Sequence, residues 1–104
     1  MTQGDIILVP FPYTDLSSVK TRPALILSKI SQDGDFILSA ITSKYYKDGV
    51  EIQNHSLTHG ELPCVSYVRY SKIVTLNKSI IKKIVAKLNR VKLQEVLKKF
   101  IDQF

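Results

Sequence analysis

Two stretches of the sequence concentrate side chains that bind phosphate groups. One contains Thr14, Ser17, Ser18, Lys20 and Arg22, and the other is the run Thr42-Ser43-Lys44. The guanidinium of arginine offers a planar fork of donors that matches two phosphate oxygens, and hydroxyl groups add short hydrogen bonds. Together these residues indicate a site for a phosphodiester. The alternative interpretation is that the hydroxyl residues form turns and that Arg22 pairs with an acidic side chain.

Other residue types that carry catalysis are sparse. His55 and His59 are four residues apart, a spacing that shares a metal ion on a helix, but the neighbouring Asn, Gly and Pro residues favour a loop. The single cysteine, Cys64, lies in an apolar setting, which favours a packed small side chain over a nucleophile. The sequence contains no Gly-rich phosphate loop and no nucleophile elbow. We therefore expect no metal site and no cofactor, and most hydrolase classes are excluded.

The size and composition predict one folded domain spanning residues 1–104. Of these residues 44% are hydrophobic and 23% are charged, as in an ordinary globular chain. A single cysteine cannot form an intrachain disulfide, which fits a reducing compartment. No basic leader is visible, and the longest apolar run, Ile6 to Tyr13, contains two prolines and is shorter than the ~20 residues of a membrane helix. We therefore expect a cytoplasmic protein that does not engage a membrane.

The charge is distributed unevenly along the chain, whose net charge is +6. Residues 1–68 carry 5 basic and 7 acidic side chains, whereas residues 69–104 carry 10 basic and 2 acidic ones, a net charge of +8. A strongly basic end suggests an anionic partner, either nucleic acid or an acidic protein segment. Lysines on the solvent-exposed face of a helix are the alternative explanation.

Short apolar and β-branched runs predict at least five strands, which short connections make antiparallel. The predicted strands cover Asp5 to Phe11, Pro23 to Ser28, Phe36 to Ile41, Val50 to Gln53 and the long stretch Val65 to Leu76, which can bend. The polar segment Asn54 to Pro63 is predicted to be a loop. Thr42 and Ser43 alternate faces, so both hydroxyl groups can face one site only if the third strand ends or bulges there.

The periodicity of the last residues predicts a terminal amphipathic helix. After Asn89 the apolar residues recur at helical spacing, at Leu93, Val96, Leu97, Phe100, Ile101 and Phe104. The preceding segment, Lys83 to Leu88, fits either a helical face or a last short strand that follows one helical turn capped by Asn77. Strands followed by a helix predict a mainly β fold, a small and strongly bent antiparallel sheet or barrel with the helix packed on it.

A series of short motifs resembles one protein family. The motifs are Gly4-Asp5-Ile6, Phe11 to Asp15, Lys20 to Leu25, Ile41 to Lys44, Ser66 to Arg69, Lys72-Ile73, Thr75-Leu76 and Lys87-Leu88. Each motif alone is weak, but their order and spacing over essentially the whole chain resemble the MazF/PemK family of toxin-antitoxin ribonucleases. The segment Leu16 to Val19 departs from better-known members because it is short and lacks glycine.

The resemblance implies an SH3-like antiparallel barrel of the MazF/CcdB kind with a carboxy-terminal helix. It also implies a homodimer that cleaves single-stranded RNA with a sequence preference and without a metal ion, and it favours a strand for Lys83 to Leu88. The family's catalytic arginine corresponds to Arg22 and its catalytic threonine to Thr42. An acidic antitoxin is the implied protein partner. Further candidates for contacts with the RNA backbone are Lys20, Ser43, Lys44 and Arg69.

The expected mechanism uses the substrate's own 2′-hydroxyl as the nucleophile at the adjacent phosphorus. Arg22 would stabilise the transition state and Thr42 would position the phosphate or the 2′-hydroxyl, while the group that accepts the first proton is left open. Two functions of other classes compete with this one, a gyrase-poisoning toxin of similar fold and a non-catalytic RNA-binding barrel. The Arg22 and Thr42 motifs argue against the gyrase poison, as does a chain end without the tryptophan that such toxins place there.

Overall fold

The computed structural model describes residues 1–10 and 21–104. Within these residues the strands are β1 (Asp5–Pro10), β2 (Thr21–Ile26), β3 (Asp35–Thr42), β4 (Gly49–Ile52), β5 (Leu57–Gly60), β6 (Ser66–Asn77) and β7 (Lys83–Leu88). The helix α1 (Arg90–Asp102) follows, and two 3₁₀ turns cover Asn54–Ser56 and Lys78–Ile80.

The described strands form one sheet in the order β4-β6-β3-β2-β1-β7-β5. Every pairing between neighbours in this order is antiparallel. The sheet curls into a half-barrel, and α1 is the last element of the chain. The mainly β fold with a terminal helix that the sequence predicts is therefore confirmed.

The long strand β6 lies between β3 and β4 in the curved sheet and pairs with both. Its register with β3 shifts between Ser39, which pairs with Ile73, and Ala40, which pairs with Arg69. The shift leaves residues 70–72 as a bulge, and the Ser39 hydroxyl donates a hydrogen bond of 2.6 Å to the carbonyl oxygen of Arg69. A bulge bends the strand that carries it, which is the bend predicted for this stretch.

Both faces of the sheet are buried, and strand alternation decides which side chain joins which core. One cluster contains Ile6, Leu25, Leu27, Ile41, Val50, Ile52, Leu62, Val68, Ala86, Leu88 and Val96 of α1. The other contains Ile7, Val9, Ala24, Ile26, Phe36, Leu38 and Ala40. The predicted alternation of the third strand is confirmed, since its even-numbered apolar residues share the second cluster.

Two features of the second half settle or correct expectations from the sequence. Lys83–Leu88 is strand β7, which confirms the strand alternative, and it follows a 3₁₀ turn whose Ser79 amide donates to the Asn77 side chain at 3.0 Å. The segment Asn54 to Pro63 is not simply a loop, because it contains a 3₁₀ turn and β5. β5 pairs with β7, and this tertiary pairing is invisible in a locally polar sequence.

The helix α1 begins after Asn89, whose side chain accepts a hydrogen bond of 2.8 Å from the Lys92 amide. Val96 is fully buried, and Leu93, Leu97 and Phe100 pack against the same core. Ile101 and Phe104 are 64% and 86% exposed, so the predicted apolar face is too long. Ile101 lies five residues after Val96, about 140° away around the helix, which takes it off the buried face. Among the described residues, no helix is long and apolar enough to cross a membrane.

Candidate active site

A cavity of about 390 Å³ opens where β2 begins and β3 ends. Its apolar walls come from Leu8, Pro23, Ile41, Leu62, Pro63 and Val85. Polar or titratable groups in its described lining come from Arg22, Thr42, Ser43, Glu61, Cys64 and Ser66. A concave site with apolar walls and a few convergent polar groups is typical of a substrate site.

Arg22 and Thr42 meet in this cavity because of the register between β2 and β3. Ala24 pairs with Ala40, and each catalytic candidate lies two residues farther toward the same end of the sheet. Side chains two residues apart on a strand point to the same face, so Arg22 and Thr42 share one face. Both candidates line the cavity, although 20 positions separate them in the sequence.

Ser43 also lines the cavity, so the hydroxyl groups of Thr42 and Ser43 reach the same site although neighbouring residues of a strand face opposite sides. β3 ends at Thr42, so the strand geometry no longer forces Ser43 to the opposite face. The backbone amide of Lys44 donates a hydrogen bond of 3.2 Å to Oγ1 of Thr42. This bond uses an acceptor position of the hydroxyl and leaves its proton available for donation to a phosphate oxygen.

The other predicted RNA-binding residues lie elsewhere. Lys44 is exposed and does not line the cavity, and its Nζ lies 5.8 Å from the centre of the Tyr46 ring. Arg69 pairs with Asp48, with an Nε–Oδ1 distance of 3.2 Å, and its guanidinium carbon lies 3.8 Å from the centre of the Tyr46 ring. Lys20 lies outside the described residues.

Three lining residues were missed by the analysis of the sequence. Glu61, Cys64 and Ser66 come from the end of β5 onward. Ser66 begins one of the motifs, but neither it nor Cys64 is predicted to line the site, and no motif marks Glu61. Cys64 is exposed, so the expectation of a packed side chain is wrong, because the residue lies in the connection to β6. Glu61 supplies the only carboxylate among the described residues that line the cavity. A loop position was the one available signal.

The two histidines do not share a helical face. His55 lies in a 3₁₀ turn, whereas His59 lies on β5. Among residues 1–10 and 21–104, no group of three His, Cys, Asp or Glu side chains is arranged to hold a metal ion. His55 instead lines a second cavity of about 290 Å³ together with Gln53 and Asn54. This cavity shares Leu62, Pro63 and Cys64 with the first one, so the two cavities are neighbours.

Comparison with known proteins gives a family and a fold. A family model described as PemK-like, MazF-like toxin of type II toxin-antitoxin system matches residues 2–104. No curated protein matches the chain.

Three solved structures illustrate the similarity in fold. MazF from Deinococcus radiodurans matches with a TM-score of 0.76 and 21% identity, covering 99% of this chain and 94% of that one. An endoribonuclease from a mycobacterial species, solved in complex with its cognate antitoxin, matches with a TM-score of 0.73 and 16% identity, and the match covers 98% of this chain and 90% of that one. The Mycobacterium tuberculosis toxin MazF-mt6 matches with a TM-score of 0.72 and 16% identity, and the match covers 95% of this chain and 93% of that one.

Proposed function

The chain belongs to the PemK-like, MazF-like toxins of type II toxin-antitoxin systems, and from this premise we propose that it is an endoribonuclease that cleaves single-stranded RNA with a sequence preference. The observation that carries the proposal is the meeting of Arg22 and Thr42 in one cavity. Structures of similar fold are endoribonucleases, which supports the same activity here. The proposed site of action is the cytoplasm, where messenger RNA is translated.

The proposed reaction is a transphosphorylation. The 2′-oxygen of the RNA attacks the neighbouring phosphorus while the bond from phosphorus to the 5′-oxygen breaks. The products are a 2′,3′-cyclic phosphate and a 5′-hydroxyl, so neither a metal-activated water nor a protein nucleophile is needed. This chemistry suits a cavity whose described lining includes a guanidinium, three hydroxyls, one carboxylate and one thiol.

Three of the polar groups in the described lining have assigned tasks in this reaction. Arg22 stabilises the negative charge that develops on the phosphoryl oxygens, because a guanidinium donates two hydrogen bonds in a fixed fork. Thr42, whose hydroxyl is oriented by the Lys44 amide, holds the phosphate or the 2′-hydroxyl in line. Glu61, whose carboxylate is a hydrogen-bond acceptor, accepts the proton of the 2′-hydroxyl and later releases it to solvent. The departing 5′-oxygen takes up a proton from solvent, which gives the 5′-hydroxyl product.

The proposed partners follow from the family and the charge. A mycobacterial relative was solved with its cognate antitoxin, and we assign an acidic antitoxin to this chain as well. Residues 69–104, with a net charge of +8, would attract both RNA and an acidic antitoxin segment. We further propose that the active species is a homodimer.

The function is tested by incubating the purified protein with a mixed single-stranded RNA in EDTA. New RNA ends support a nuclease, and retention of uncleaved RNA indicates a non-catalytic binder. If the protein neither cleaves nor retains RNA, the gyrase-poisoning function is the alternative that stands. A matched oligonucleotide then tests the mechanism: one 2′-deoxyribose placed 5′ to the cleaved phosphate should abolish cleavage and leave binding nearly intact. Full cleavage of that strand would contradict attack by the 2′-hydroxyl.

A further inference from the structure

Beside the cavity lies a cluster of aromatic and cationic side chains that the reaction does not use. The ring of Tyr45 meets the ring of Tyr67 edge to face, with centroids 5.7 Å apart and planes at 89°. Next to Tyr45, the Tyr46 ring lies within reach of two cations, the guanidinium of Arg69 at 3.8 Å and Nζ of Lys44 at 5.8 Å. Tyr45 itself is 68% exposed.

The cluster adjoins the proposed reaction centre through Tyr67. In the antiparallel pair of β3 and β6, Tyr67 is the direct partner of Thr42. Directly opposed residues point to the same face, with Cβ atoms about 5 Å apart. Arg69 lies two residues along β6 from Tyr67 and therefore shares that face. The path from the Thr42 hydroxyl to the Tyr45 ring thus runs across a single intervening tyrosine.

Several contacts hold the cluster in place without RNA. The Gly49 amide donates to the Tyr46 carbonyl oxygen at 3.0 Å, and a Cβ at Gly49 would press against that oxygen and against Cβ of Tyr67. Asp48 binds the Arg69 guanidinium and also accepts a hydrogen bond from the Ser71 hydroxyl. Because these groups are already ordered, little conformational entropy is lost when a ligand binds to the exposed ring.

We propose that Tyr45 is a stacking platform for one unpaired nucleobase of the RNA, within a nucleotide or two of the cleaved phosphodiester. The inference rests on the proposed nuclease function and adds a binding subsite to it. Single-stranded nucleic acid is bound by exposed aromatic rings combined with nearby cations, and here Lys44 supplies the cation. Since every base has a π-face, the platform contributes affinity and register rather than recognition of a particular base.

In this arrangement Arg69 is a positioning residue for the ring cluster. Its guanidinium is shared between Asp48 and the face of Tyr46, so it orders the segment that carries Tyr45. Lys44, which is exposed, is the side chain that remains available to a backbone phosphate next to the stacked base.

The test is a double-mutant cycle between protein and RNA. The RNA carries a 2′-deoxyribose at the cleavage position, so that it binds without being cut, and an abasic ribose is placed at each flanking position in turn. Binding is measured by fluorescence anisotropy for the full chain, for Tyr45→Ala and for Tyr45→Phe. We expect Tyr45→Ala to weaken binding of the intact RNA about tenfold and Tyr45→Phe to keep it, because only the ring stacks. At one flanking position, the abasic ribose should weaken RNA binding by the unchanged protein about as much as Tyr45→Ala does, and it should not weaken binding by Tyr45→Ala any further.

Phe104→Ala is the matched control. Phe104 is also an exposed ring in edge-to-face contact with a partly buried one, Phe100 at 5.3 Å, but it lies after the end of α1. We expect Phe104→Ala to bind RNA like the unchanged protein. In cleavage assays Tyr45→Ala should raise KM by a factor similar to its loss of binding while kcat changes less.

Two further outcomes overturn the proposal. If Tyr45→Ala and Phe104→Ala bind and cleave RNA equally well, Tyr45 does not stack on a base. If Tyr45→Ala changes the molecular mass measured by sedimentation equilibrium, RNA binding is compared at concentrations where the variant and the unchanged protein have the same oligomeric state. If the two then bind RNA equally well, the Tyr45 ring contacts another protein chain and not a base. Failure of the nuclease function itself is distinguishable, because in that case the unchanged protein cuts no RNA in any assay.

Discussion

Arg22 lies two residues before Ala24, Thr42 lies two residues after Ala40, and Ala24 pairs with Ala40. Arg22 and Thr42 therefore lie at the same end of the two strands, and both line the same cavity. Their neighbours in the pairing, Ala24 and Ala40, are fully buried in the core. The two side chains therefore project from the ends of well-packed strands. A site built on such elements is held more accurately than one built on loops alone.

The first prediction concerns these two residues. Arg22→Ala and Thr42→Ala should each lower the rate of RNA cleavage by about 10² to 10³, the usual cost of removing one donor aimed at the transition state. The double variant should lose less than the product of the two factors, because both groups act on the same phosphoryl group. The measurement is single-turnover cleavage of a labelled oligonucleotide.

Matched controls separate this effect from a general loss of charge or hydroxyl. Arg90 and Thr58 are exposed and lie outside the described lining of the cavity, so Arg90→Ala and Thr58→Ala should cleave at nearly the normal rate. Circular dichroism should show the same fold for all variants. A folded Arg22→Ala protein with the normal rate would refute the assigned site.

The second prediction concerns the proton acceptor. Glu61→Gln keeps the shape of the side chain and removes the carboxylate, so the cleavage rate should fall by about 10² or more if Glu61 is the general base. RNA binding should be nearly unchanged, since the substitution removes no positive charge. Glu51→Gln, an exposed glutamate on β4 outside the described lining, is the control. Equal rates for the two variants would assign the proton to another group.

The local sequence predicts the strands and the helix because those elements follow from hydrophobic periodicity. Asp5–Pro10, Asp35–Thr42 and Lys83–Leu88 all lie within one or two residues of the predicted boundaries where the structure describes them. β5 was not predicted, because a short polar strand is stabilised by pairing with β7 and not by its own composition. Pairing partners of this kind are properties of the folded sheet.

The candidate site was predicted only in part, and the reason is similar. Arg22, Thr42 and Ser43 were found through motifs, and the register of β2 with β3 brings the strands that carry them together. Glu61 enters the cavity from a separate connection that no motif marks. The tyrosine cluster also depends on a pairing, between Thr42 and Tyr67, that joins segments 25 positions apart in the sequence.

The third prediction concerns the docking of the helix on the sheet. Val96 is fully buried and Val91 is 81% exposed, although both lie on α1. Val96→Ala should lower the free energy of unfolding by about 2 kcal/mol, since it removes two buried methyl groups and leaves a cavity. Val91→Ala should change it by less than about 0.5 kcal/mol. Urea unfolding followed by circular dichroism measures both, and equal effects would contradict the burial of this helix face.

The last prediction concerns the antitoxin. We expect a neighbouring reading frame to encode a small protein with an acidic carboxy-terminal tail that folds onto the toxin and occludes the RNA site. The tail, as a peptide, should displace a labelled non-cleavable RNA, and its association rate should fall as salt rises because the net charge of +8 on residues 69–104 steers the encounter. Stopped-flow fluorescence at several ionic strengths measures this, with a peptide of scrambled sequence and equal charge as the control. The scrambled peptide should associate with a similar salt dependence but dissociate faster, since it lacks the apolar contacts. A tail that inhibits without displacing RNA, or whose association rate does not depend on ionic strength, would show that charge-steered occlusion is not how the toxin is held inactive.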